Sequence, residues 1–206
     1  NIQLLRDCAQ HGIFVAWSMI LGFPREDDAW HAETAALVPA LFHLGAGGVA
    51  ALRFDRFSPY AERPEAWGLS LVPAAPYAHV YPVDDATLGG LAYYFDAAPA
   101  SELVGDLFHR PVGAPGAERL RRAVVAWRAA SARGARLELR RHDDGGEVLD
   151  TRAIEDAAPV SVGPAVVAAL DVCRDARGRA AVEQALVACG VAGALEALDG
   201  AIARRW

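Results

Sequence analysis

The sequence predicts an α/β fold with parallel strands, followed by a smaller α+β region. Helical and strand-like segments alternate over the first half of the 206 residues, with short connections between them. The strand-like segments are nearly continuous in apolar residues, which is typical of parallel strands covered by helices on both faces. The second half instead shows a hairpin pattern among amphipathic helices.

The first elements are predicted to be a helix, a strand and a second helix. Residues 2–11 have a helical pattern, and Gly12 fits a helix stop. Residues 13–21 predict a buried strand. Asp27 and Asp28 open the second helix, because acidic side chains stabilise the positive end of the helix dipole. The side chains expected on the buried face of that helix are Trp30, Thr34, Leu37, Val38, Leu41 and Leu44.

Charged residues enter an apolar pattern in the second strand, GVAALRFDRF. Alternate side chains of a strand face opposite sides. One predicted face carries Ala51, Arg53, Asp55 and Phe57, and the other carries Leu52, Phe54 and Arg56. In a barrel the apolar face would lie under the helices, so Arg53 and Asp55 would point into the lumen. They either neutralise each other there or contact a ligand, since a buried ion pair is costly without good hydrogen bonds.

The segments after the second strand are predicted with less regular structure. Residues 59–83 are rich in proline and aromatic side chains, which favours an ordered loop of the kind that often contacts substrate. The segment DDATLGGLAYYF predicts a helix after an aspartate or threonine cap, despite two weakening glycines. Together with the elements above, this gives a first domain over residues 1–108.

Residues 115–206 are predicted to form a second, smaller domain. It begins with the amphipathic helix APGAERLRRAVVAWRAA, whose apolar face contains Leu120, Ala123, Val124 and Trp127. The segments ARLELRR and GEVLDTR flank HDDGG and predict a β-hairpin. Three short helices are expected at 163–173, 179–188 and 191–204.

Composition excludes several classes of protein. The net charge of −6 argues against non-specific binding of nucleic acid. Every basic residue is an arginine, so lysine Schiff-base and lysine general-base chemistry are excluded for this segment. No apolar run reaches the roughly 20 residues of a membrane span. The widely separated Cys8, Cys173 and Cys189 predict neither a disulfide framework nor a metal site, and favour a reducing cytoplasm.

The histidines are weak signals for a site. His11, His31 and His43 lie on or beside predicted helices and are expected to face solvent or helix ends. His79 and His109 fall in loops, and His142 falls in the hairpin turn. None is expected to bind a metal. The N-terminus resembles the middle of a helix, so we expect a longer protein upstream of Asn1.

The stretch GFPRED ends the first predicted strand abruptly. A barrel places its active site at the carboxyl ends of its strands, and FSPY lies at the corresponding end of the second strand. Glu26 admits two interpretations: an acid in the first turn of a helix, or a carboxylate that faces a cationic ligand. With Asp27 and Asp28 beside it, the loop is unsuited to phosphate.

Several segments in this order resemble one enzyme family. They are NIQLLRDCAQHGIFVAWSMILGFPRED, RFDRFSPY, YPVDDATLGGLAYYFD and GEVLDTR, the last followed by a helical stretch that runs into ALDVC. Together they resemble the cobalamin-dependent radical SAM enzymes of ribosomal-peptide maturation, and most closely the RiPP maturation radical SAM C-methyltransferases. The resemblance covers most of the chain.

The resemblance implies the later strands and helices of a radical SAM partial (β/α) barrel, followed by a small α+β domain similar to a winged helix. It implies S-adenosylmethionine, a 4Fe–4S cluster and cobalamin as cofactors, with the cluster cysteines and the cobalamin domain upstream. No metal ligand is expected in this segment, which should be inactive alone. The implied partners are a precursor peptide and a reductant protein for the cluster, with no nucleic acid and no membrane.

The resemblance also assigns candidate residues, although no catalytic residue can be named. Those on the adenosylmethionine side are Gly22, Phe23, Pro24, Glu26 and Ser18. Those of the lumen, contacting cofactor or peptide, are Arg53, Asp55, Ser58 and Tyr60. An acid-rich loop suits adenosylmethionine because its sulfonium and ammonium groups are cationic.

Two positions depart from the family pattern. Arg25 stands where the family commonly has a glycine, and Trp17-Ser18 stands where it tends to have Trp-Asn. An arginine tolerates positive φ less well than glycine, which puts the geometry of this turn in question.

Two further interpretations remain open. One is a cobalamin-type radical SAM enzyme that acts on a small molecule, a tetrapyrrole or RNA. The other is a non-catalytic α/β module that binds a leader peptide. DNA binding by the C-terminal helices is disfavoured because acidic side chains alternate with their arginines.

Overall fold

A computed structural model of the chain describes residues 1–98, 114–154, 156–175 and 177–204. These residues have a mixed α/β structure with three small sheets, none of them closed. The α/β class is therefore confirmed, whereas the partial barrel and the winged helix stay predictions. No helix in the described ranges has the length and apolarity that a membrane crossing requires.

The elements are named in chain order. The helices are α1 (Ile2–Gln10), α2 (Asp28–Leu37), α3 (Pro59–Glu62), α4 (Pro76–Val80), α5 (Asp85–Leu91), α6 (Pro115–Ala132), α7 (Pro164–Val172), α8 (Arg179–Cys189) and α9 (Ala194–Arg204). The strands are β1 (Ser18–Leu21), β2 (Gly48–Ala51), β3 (Phe54–Asp55), β4 (Leu71–Pro73), β5 (Tyr94–Ala97), β6 (Leu137–His142), β7 (Gly145–Asp150) and β8 (Val160–Val162). Short 3₁₀ turns occupy Val38–Leu41 and Pro64–Trp67.

The described chain divides into two compact units. One contains residues 1–16, 36–47 and 122–206, and the other contains 17–35 and 48–121. The boundary predicted from the sequence, between residues 108 and 115, lies almost wholly outside the described residues. The division into domains 1–108 and 115–206 therefore stays a prediction.

The parallel sheet consists of β1 and β2, with Leu21 opposite Ala51. The Leu52 N–H continues the ladder by donating to the Leu21 carbonyl oxygen at 2.7 Å. The parallel α/β repeat is thus confirmed, but the strand predicted over 13–21 begins only at Ser18. A ladder extends only as far as its partner, and β2 begins at Gly48 after a glycine-rich turn.

The buried face predicted for the second helix is partly wrong. Val38 and Leu44 are buried, whereas Trp30 and Leu37 are exposed. The physical reason is that α2 ends at Leu37 and a 3₁₀ turn follows. Proline has no N–H to donate, so Pro39 favours this break and the apolar stripe does not continue along one helix.

The second sheet has the antiparallel order β3-β5-β4. Leu52 and Phe54 are buried in its core together with Leu69, while Arg53 is exposed. The alternation of faces is confirmed for Leu52, Arg53 and Phe54, but the single strand predicted over GVAALRFDRF is wrong, because β2 and β3 belong to different sheets. The side chains packed against that core are Tyr60, Trp67, Leu71, Phe95 and Ala97.

Residues 59–83 were predicted to form a loop without regular structure, and that prediction is wrong, because they contain α3, a 3₁₀ turn, β4 and α4. The helix predicted over DDATLGGLAYYF is confirmed only for Asp85–Leu91, which forms α5; Tyr94 and Phe95 lie in β5 instead, where they pair with β3. Asp84 is the N-cap of α5, since the Asp84 carboxylate accepts a hydrogen bond from the Thr87 N–H at 2.8 Å.

The C-terminal helices and the hairpin are confirmed. In α6 the predicted residues Leu120, Val124 and Trp127 are buried, and α7, α8 and α9 match the three expected short helices. Strands β6 and β7 pair around the turn at HDDGG. The sequence did not predict β8, a short strand that pairs with β7.

The segment 40–47 is held by side chains distant in sequence. Three of its carbonyl oxygens accept hydrogen bonds: Ala40 from Arg152 Nη1 at 2.7 Å, Leu44 from Trp127 Nε1 at 2.9 Å and Gly47 from Arg128 Nε at 3.0 Å. Arg152 is buried and also forms two hydrogen bonds to the Asp150 carboxylate, at 2.8 and 2.7 Å. We call this set the anchored segment.

His43 lies within the anchored segment, and its Nδ1 has no hydrogen-bond partner among the described residues. Burial, followed by the positive charge of Arg152, lowers the pKa of His43 to about 4. The hydrogen bonds from Arg152 lower the pKa of Asp150 against the opposing effect of its partial burial. His43 was predicted to face solvent or a helix end, and that prediction is wrong.

Candidate functional site

The first candidate loop is the turn after β1. The Glu26 N–H donates to the Phe23 carbonyl oxygen at 3.1 Å, Pro24 occupies the second position of the turn, and Arg25 has φ = +65°. Proline followed by a residue with positive φ is the pattern of a type II turn, in which glycine is usual at the third position. Arg25 therefore adopts the backbone conformation that a glycine would take, despite its side chain.

Glu26 closes this loop. Its Oε2 accepts a hydrogen bond from the Gly22 N–H at 2.6 Å, and His31 Nε2 lies 3.1 Å from the same oxygen. Both the Glu26 and the His31 side chains are largely buried. The carboxylate therefore stabilises the loop from within. His31, predicted to face solvent or a helix end, instead packs against this loop, so that prediction is also wrong.

Asp28 is the first residue of α2, and its side chain also caps the start of α6. Its Oδ2 and Oδ1 accept hydrogen bonds from the backbone N–H groups of Gly116 and Ala117, at 2.6 and 2.8 Å. Desolvation acts in the opposite direction, but these two hydrogen bonds lower the pKa of Asp28 below its usual value, helped by the charges of His31 and Arg119. A Cβ at Gly116 would lie 2.1 Å from the Asp28 carbonyl oxygen, so this contact requires glycine.

The second candidate loop follows β3. The Ser58 N–H donates to the Asp55 carbonyl oxygen at 3.0 Å, and between them Phe57 has φ = +70°. Ser58 is the N-cap of α3, because its Oγ accepts a hydrogen bond from the Ala61 N–H at 3.2 Å. Among the described residues, Arg25 and Phe57 are the non-glycine residues with positive φ, and each lies in one of the two candidate loops.

Tyr60 packs in the core below the second loop. Its ring centroid lies 5.9 Å from that of Phe54 and 5.0 Å from that of Trp67. Ser58 and Tyr60 were both predicted to line the lumen. The structure shows them capping a helix and filling the core, and their role toward a ligand stays a prediction.

Arg53 and Asp55 form a loose pair. Arg53 Nη2 lies 3.9 Å from Asp55 Oδ2, and both side chains are substantially exposed. Arg53 also lies over the Tyr94 ring, with its Cζ 4.8 Å from the centroid. Asp55 Oδ1 is itself buried and has no hydrogen-bond partner among the described residues. The structure therefore gives Asp55 one buried, unpaired oxygen and one oxygen, Oδ2, with only the distant contact to Arg53.

The topology brings most of the candidates to one edge. The first loop leaves the carboxyl end of β1, and Arg53 lies just beyond the carboxyl end of β2. Because the two strands are parallel and in register, these ends are neighbours. Ser18 lies at the opposite end of β1, roughly 13 Å along the strand from Gly22.

Sequence reasoning missed several residues at this edge. His31 and Asp28 act through partners that no local pattern reveals. Phe57 was placed on the lumen face but was not selected as a site residue, although a large aromatic residue directly before a helix cap was a usable signal. Tyr94 lies in YPVDDATLGGLAYYFD, one of the segments of the resemblance, but the sequence assigned no function to its side chain.

No family model, no curated protein and no solved structure matches this chain.

Proposed function

We propose that this chain is part of a cytoplasmic radical SAM enzyme that C-methylates a ribosomally made precursor peptide. The observation that supports this most strongly is the position of two motifs of the resemblance, GFPRED and RFDRFSPY. They follow the carboxyl ends of two adjacent parallel strands, β1 and β2. Barrels and open α/β sheets bind their ligands at this edge.

The strained turns of the two candidate loops give further support. Non-glycine residues with positive φ cost free energy and are found preferentially at active sites and ligand contacts. Arg25 and Phe57 both have such backbones, one in each candidate loop. The first candidate loop therefore combines a favourable topology with a local conformation that stability alone does not favour, and the second loop contains a similar conformation.

The described residues do not fit the iron–sulfur cluster. Cys8, Cys173 and Cys189 are free, and no group of three or more His, Cys, Asp or Glu side chains in the described ranges is arranged to hold a metal ion. The proposal therefore places the cluster cysteines and the cobalamin domain in sequence outside this chain.

The fit to S-adenosylmethionine is better at Asp55 than at Glu26. The Glu26 Oε2 already interacts with Gly22 and His31, so this carboxylate would shape the loop. The Oδ1 of Asp55 is buried without a partner, whereas its Oδ2 has only a distant ion pair with Arg53 and is the oxygen that a ligand could reach. In the proposal, Asp55 accepts a hydrogen bond from the ammonium group of the cofactor or from the peptide, and Arg53 offsets its charge. Adenosylmethionine supplies the radical chemistry when bound.

The test uses the full-length protein, reconstituted without oxygen, with S-adenosylmethionine and the precursor peptide encoded beside it. We expect 5′-deoxyadenosine and a methylated peptide. Asp55→Asn should lower the methylation rate at least about 10-fold, the size of one lost charge-assisted hydrogen bond. The matched control is Asp144→Asn, in the exposed turn between β6 and β7, which should retain the wild-type rate.

Two results would contradict the proposal. One is a full-length gene without a three-cysteine loop, and the other is the absence of 5′-deoxyadenosine from a protein with an intact cluster. Peptide binding without 5′-deoxyadenosine would support the second candidate, a non-catalytic peptide-binding module. The exposed aromatic side chains beside the second loop favour that candidate as well, because they suit a peptide whether or not chemistry follows.

A further inference from the structure

One carboxylate oxygen joins the end of β1 to α2. Glu26 Oε2 accepts a hydrogen bond from the Gly22 N–H at 2.6 Å, and His31 Nε2 lies 3.1 Å from the same oxygen. Because an ionised carboxylate only accepts hydrogen bonds, the Nε2 atom of His31 carries the hydrogen in this contact. Gly22 and His31 are therefore linked through a single atom of Glu26.

The burial of this pair makes the position of Glu26 depend on His31. The side chains of His31 and Glu26 are 11% and 15% exposed. His31 and Arg152 are the buried polar or charged residues in the part of the chain that the structure describes. Removing one partner of a largely buried carboxylate is strongly destabilising. Without His31, the Glu26 carboxylate would turn toward solvent, and the Gly22 N–H would lose its acceptor.

Gly22 is the point at which the chain leaves the parallel sheet. The Leu52 N–H donates to the Leu21 carbonyl oxygen at 2.7 Å, whereas the N–H of the next residue, Gly22, donates to Glu26. Gly22 has φ = +95°. Because a glycine can adopt many backbone conformations, the bond to Glu26 selects this one, and with it the direction in which the following residues leave the strand.

The helix that carries His31 is itself fixed at its start. Asp28, three residues before His31 on α2, accepts hydrogen bonds from the Gly116 and Ala117 N–H groups at 2.6 and 2.8 Å. Residues three apart on a helix are neighbours on its surface. His31 therefore extends from a helical turn that is held in place, which suits a side chain that orients another.

We propose that His31 is a positioning residue for the first candidate loop. It holds Glu26 Oε2 on the Gly22 N–H and so sets the backbone of Gly22, Phe23 and Pro24. The resemblance assigns no function to His31. In the proposed function this loop contacts adenosylmethionine, so His31 acts on cofactor binding through Glu26; this link to the cofactor rests on the proposed function.

The first experiment measures deuterium exchange at individual amides by NMR in the 206-residue chain. His31→Leu should make exchange at Gly22 at least about 10-fold faster, the size of one lost hydrogen bond to a charged group. The Leu52 N–H donates to a backbone carbonyl oxygen of the same sheet and should keep its wild-type rate. A general loss of stability would instead accelerate exchange at both amides.

Two further variants separate positioning from packing. His31→Gln places an amide N–H near the position of Nε2 and should restore slow exchange at Gly22. His31→Asn is polar but too short to reach Glu26, so it should accelerate exchange at Gly22 even if the leucine variant does not fold. The control is His142→Leu, because the His142 side chain is half exposed and lies in the β6–β7 hairpin. It should leave exchange at Gly22 unchanged.

The second experiment uses the full-length enzyme. His31→Leu should raise the KM for S-adenosylmethionine roughly 10-fold, again the size of one such hydrogen bond. The KM for the peptide should stay at the wild-type value, because the expected change is confined to the first candidate loop. His31→Gln should restore the KM for S-adenosylmethionine.

The outcomes distinguish the positioning role from the proposed function. A full-length protein that forms no 5′-deoxyadenosine contradicts the proposed function, whereas the exchange experiment still tests His31. Exchange at Gly22 that is unchanged in His31→Leu, or that rises equally at Leu52, overturns the positioning role. Fast exchange at Gly22 with an unchanged KM for S-adenosylmethionine overturns the link to the cofactor.

Discussion

The anchored segment and the two candidate loops are stabilised in opposite ways. In the anchored segment, side chains from distant positions donate to the carbonyl oxygens of Ala40, Leu44 and Gly47. The candidate loops are held by contacts close in sequence, namely a backbone turn in each and the side chains of Glu26 and Ser58, and each loop contains a non-glycine residue of positive φ. The contacts of the anchored segment thus stabilise the fold, whereas the positive-φ residues of the candidate loops destabilise it. Strained backbone of this kind occurs preferentially at functional sites.

The largest effect should come from the anchored segment. Trp127 is fully buried and donates to the Leu44 carbonyl oxygen. Trp127→Ala should lower the free energy of unfolding by about 3–5 kcal/mol, the range for removing a buried aromatic side chain. Chemical denaturation measures this. Val125→Ala is the control, because Val125 lies on the exposed face of the same helix, and a similar loss there would contradict the contrast.

The second prediction concerns pH and His43. Its pKa falls from 6.5 to about 4 on folding, so the unfolded chain binds a proton that the folded chain does not. The free energy of unfolding should therefore fall as pH decreases from 6.5 to 4, by about 3 kcal/mol in total, and level off below 4. His43→Phe removes this contribution.

The difference in unfolding free energy between wild type and His43→Phe isolates the histidine, because the carboxylates titrate in both proteins. Denaturation at a series of pH values from 7.5 to 3.5 would measure it. Parallel curves for the two proteins would show that His43 is not buried as described, and would remove one support for the anchored segment.

Asp28 is an intermediate case, since it borders the first candidate loop yet stabilises a helix start. Asp28→Asn should lower the free energy of unfolding at pH 7 by about 1 kcal/mol, the usual size of a lost helix cap. The folded pKa of Asp28 is lowered, so its contribution is present above the unfolded value of 3.8 and is lost as pH falls through the folded pKa. The two proteins should therefore converge in acid.

The matched control for Asp28 is Glu33→Gln, which also replaces an acid by an amide on α2 and is exposed. It should change the unfolding free energy by less than about 0.5 kcal/mol. Equal effects of the two substitutions would mean that the loss reflects net charge and not the hydrogen bonds to Gly116 and Ala117.

Local signals account for the parts of the fold that the sequence predicted well. The stripe through Leu120, Val124 and Trp127 defines α6 by periodicity alone, and HDDGG defines the hairpin. The strand over 13–21 was predicted too long because its length depends on a partner that its own residues do not specify. His31 and His43 were misplaced for the same reason: their burial depends on Glu26, Asp150 and Arg152.

The sequence predicted which strand edge carries Gly22 and Arg53, but it did not predict the contacts of the individual side chains. The carboxyl ends of parallel strands are neighbours in any such sheet, so the order of the elements was enough to bring Gly22 and Arg53 to one edge. The functions of individual side chains within the loops depend on backbone dihedral angles. Ser58 and Tyr60 became a helix cap and a core residue because the turn at Phe57 ends the alternation of faces.

The smallest predicted effect tests the strain in the first loop. Arg25 has φ = +65°, a conformation that destabilises the folded state of an L-residue by roughly 1–2 kcal/mol. Replacement by glycine removes this strain, but the greater entropy of glycine in the unfolded chain offsets part of the gain in stability. Arg25→Gly should therefore raise the free energy of unfolding by up to about 1 kcal/mol. Arg122→Gly, at an exposed position within α6, should lower it by about 1 kcal/mol. Denaturation experiments that give changes of opposite sign in the free energy of unfolding would show that the first loop is strained. A lower free energy of unfolding in both variants would show that it is not, and Phe57 would then be the one strained position in the comparison.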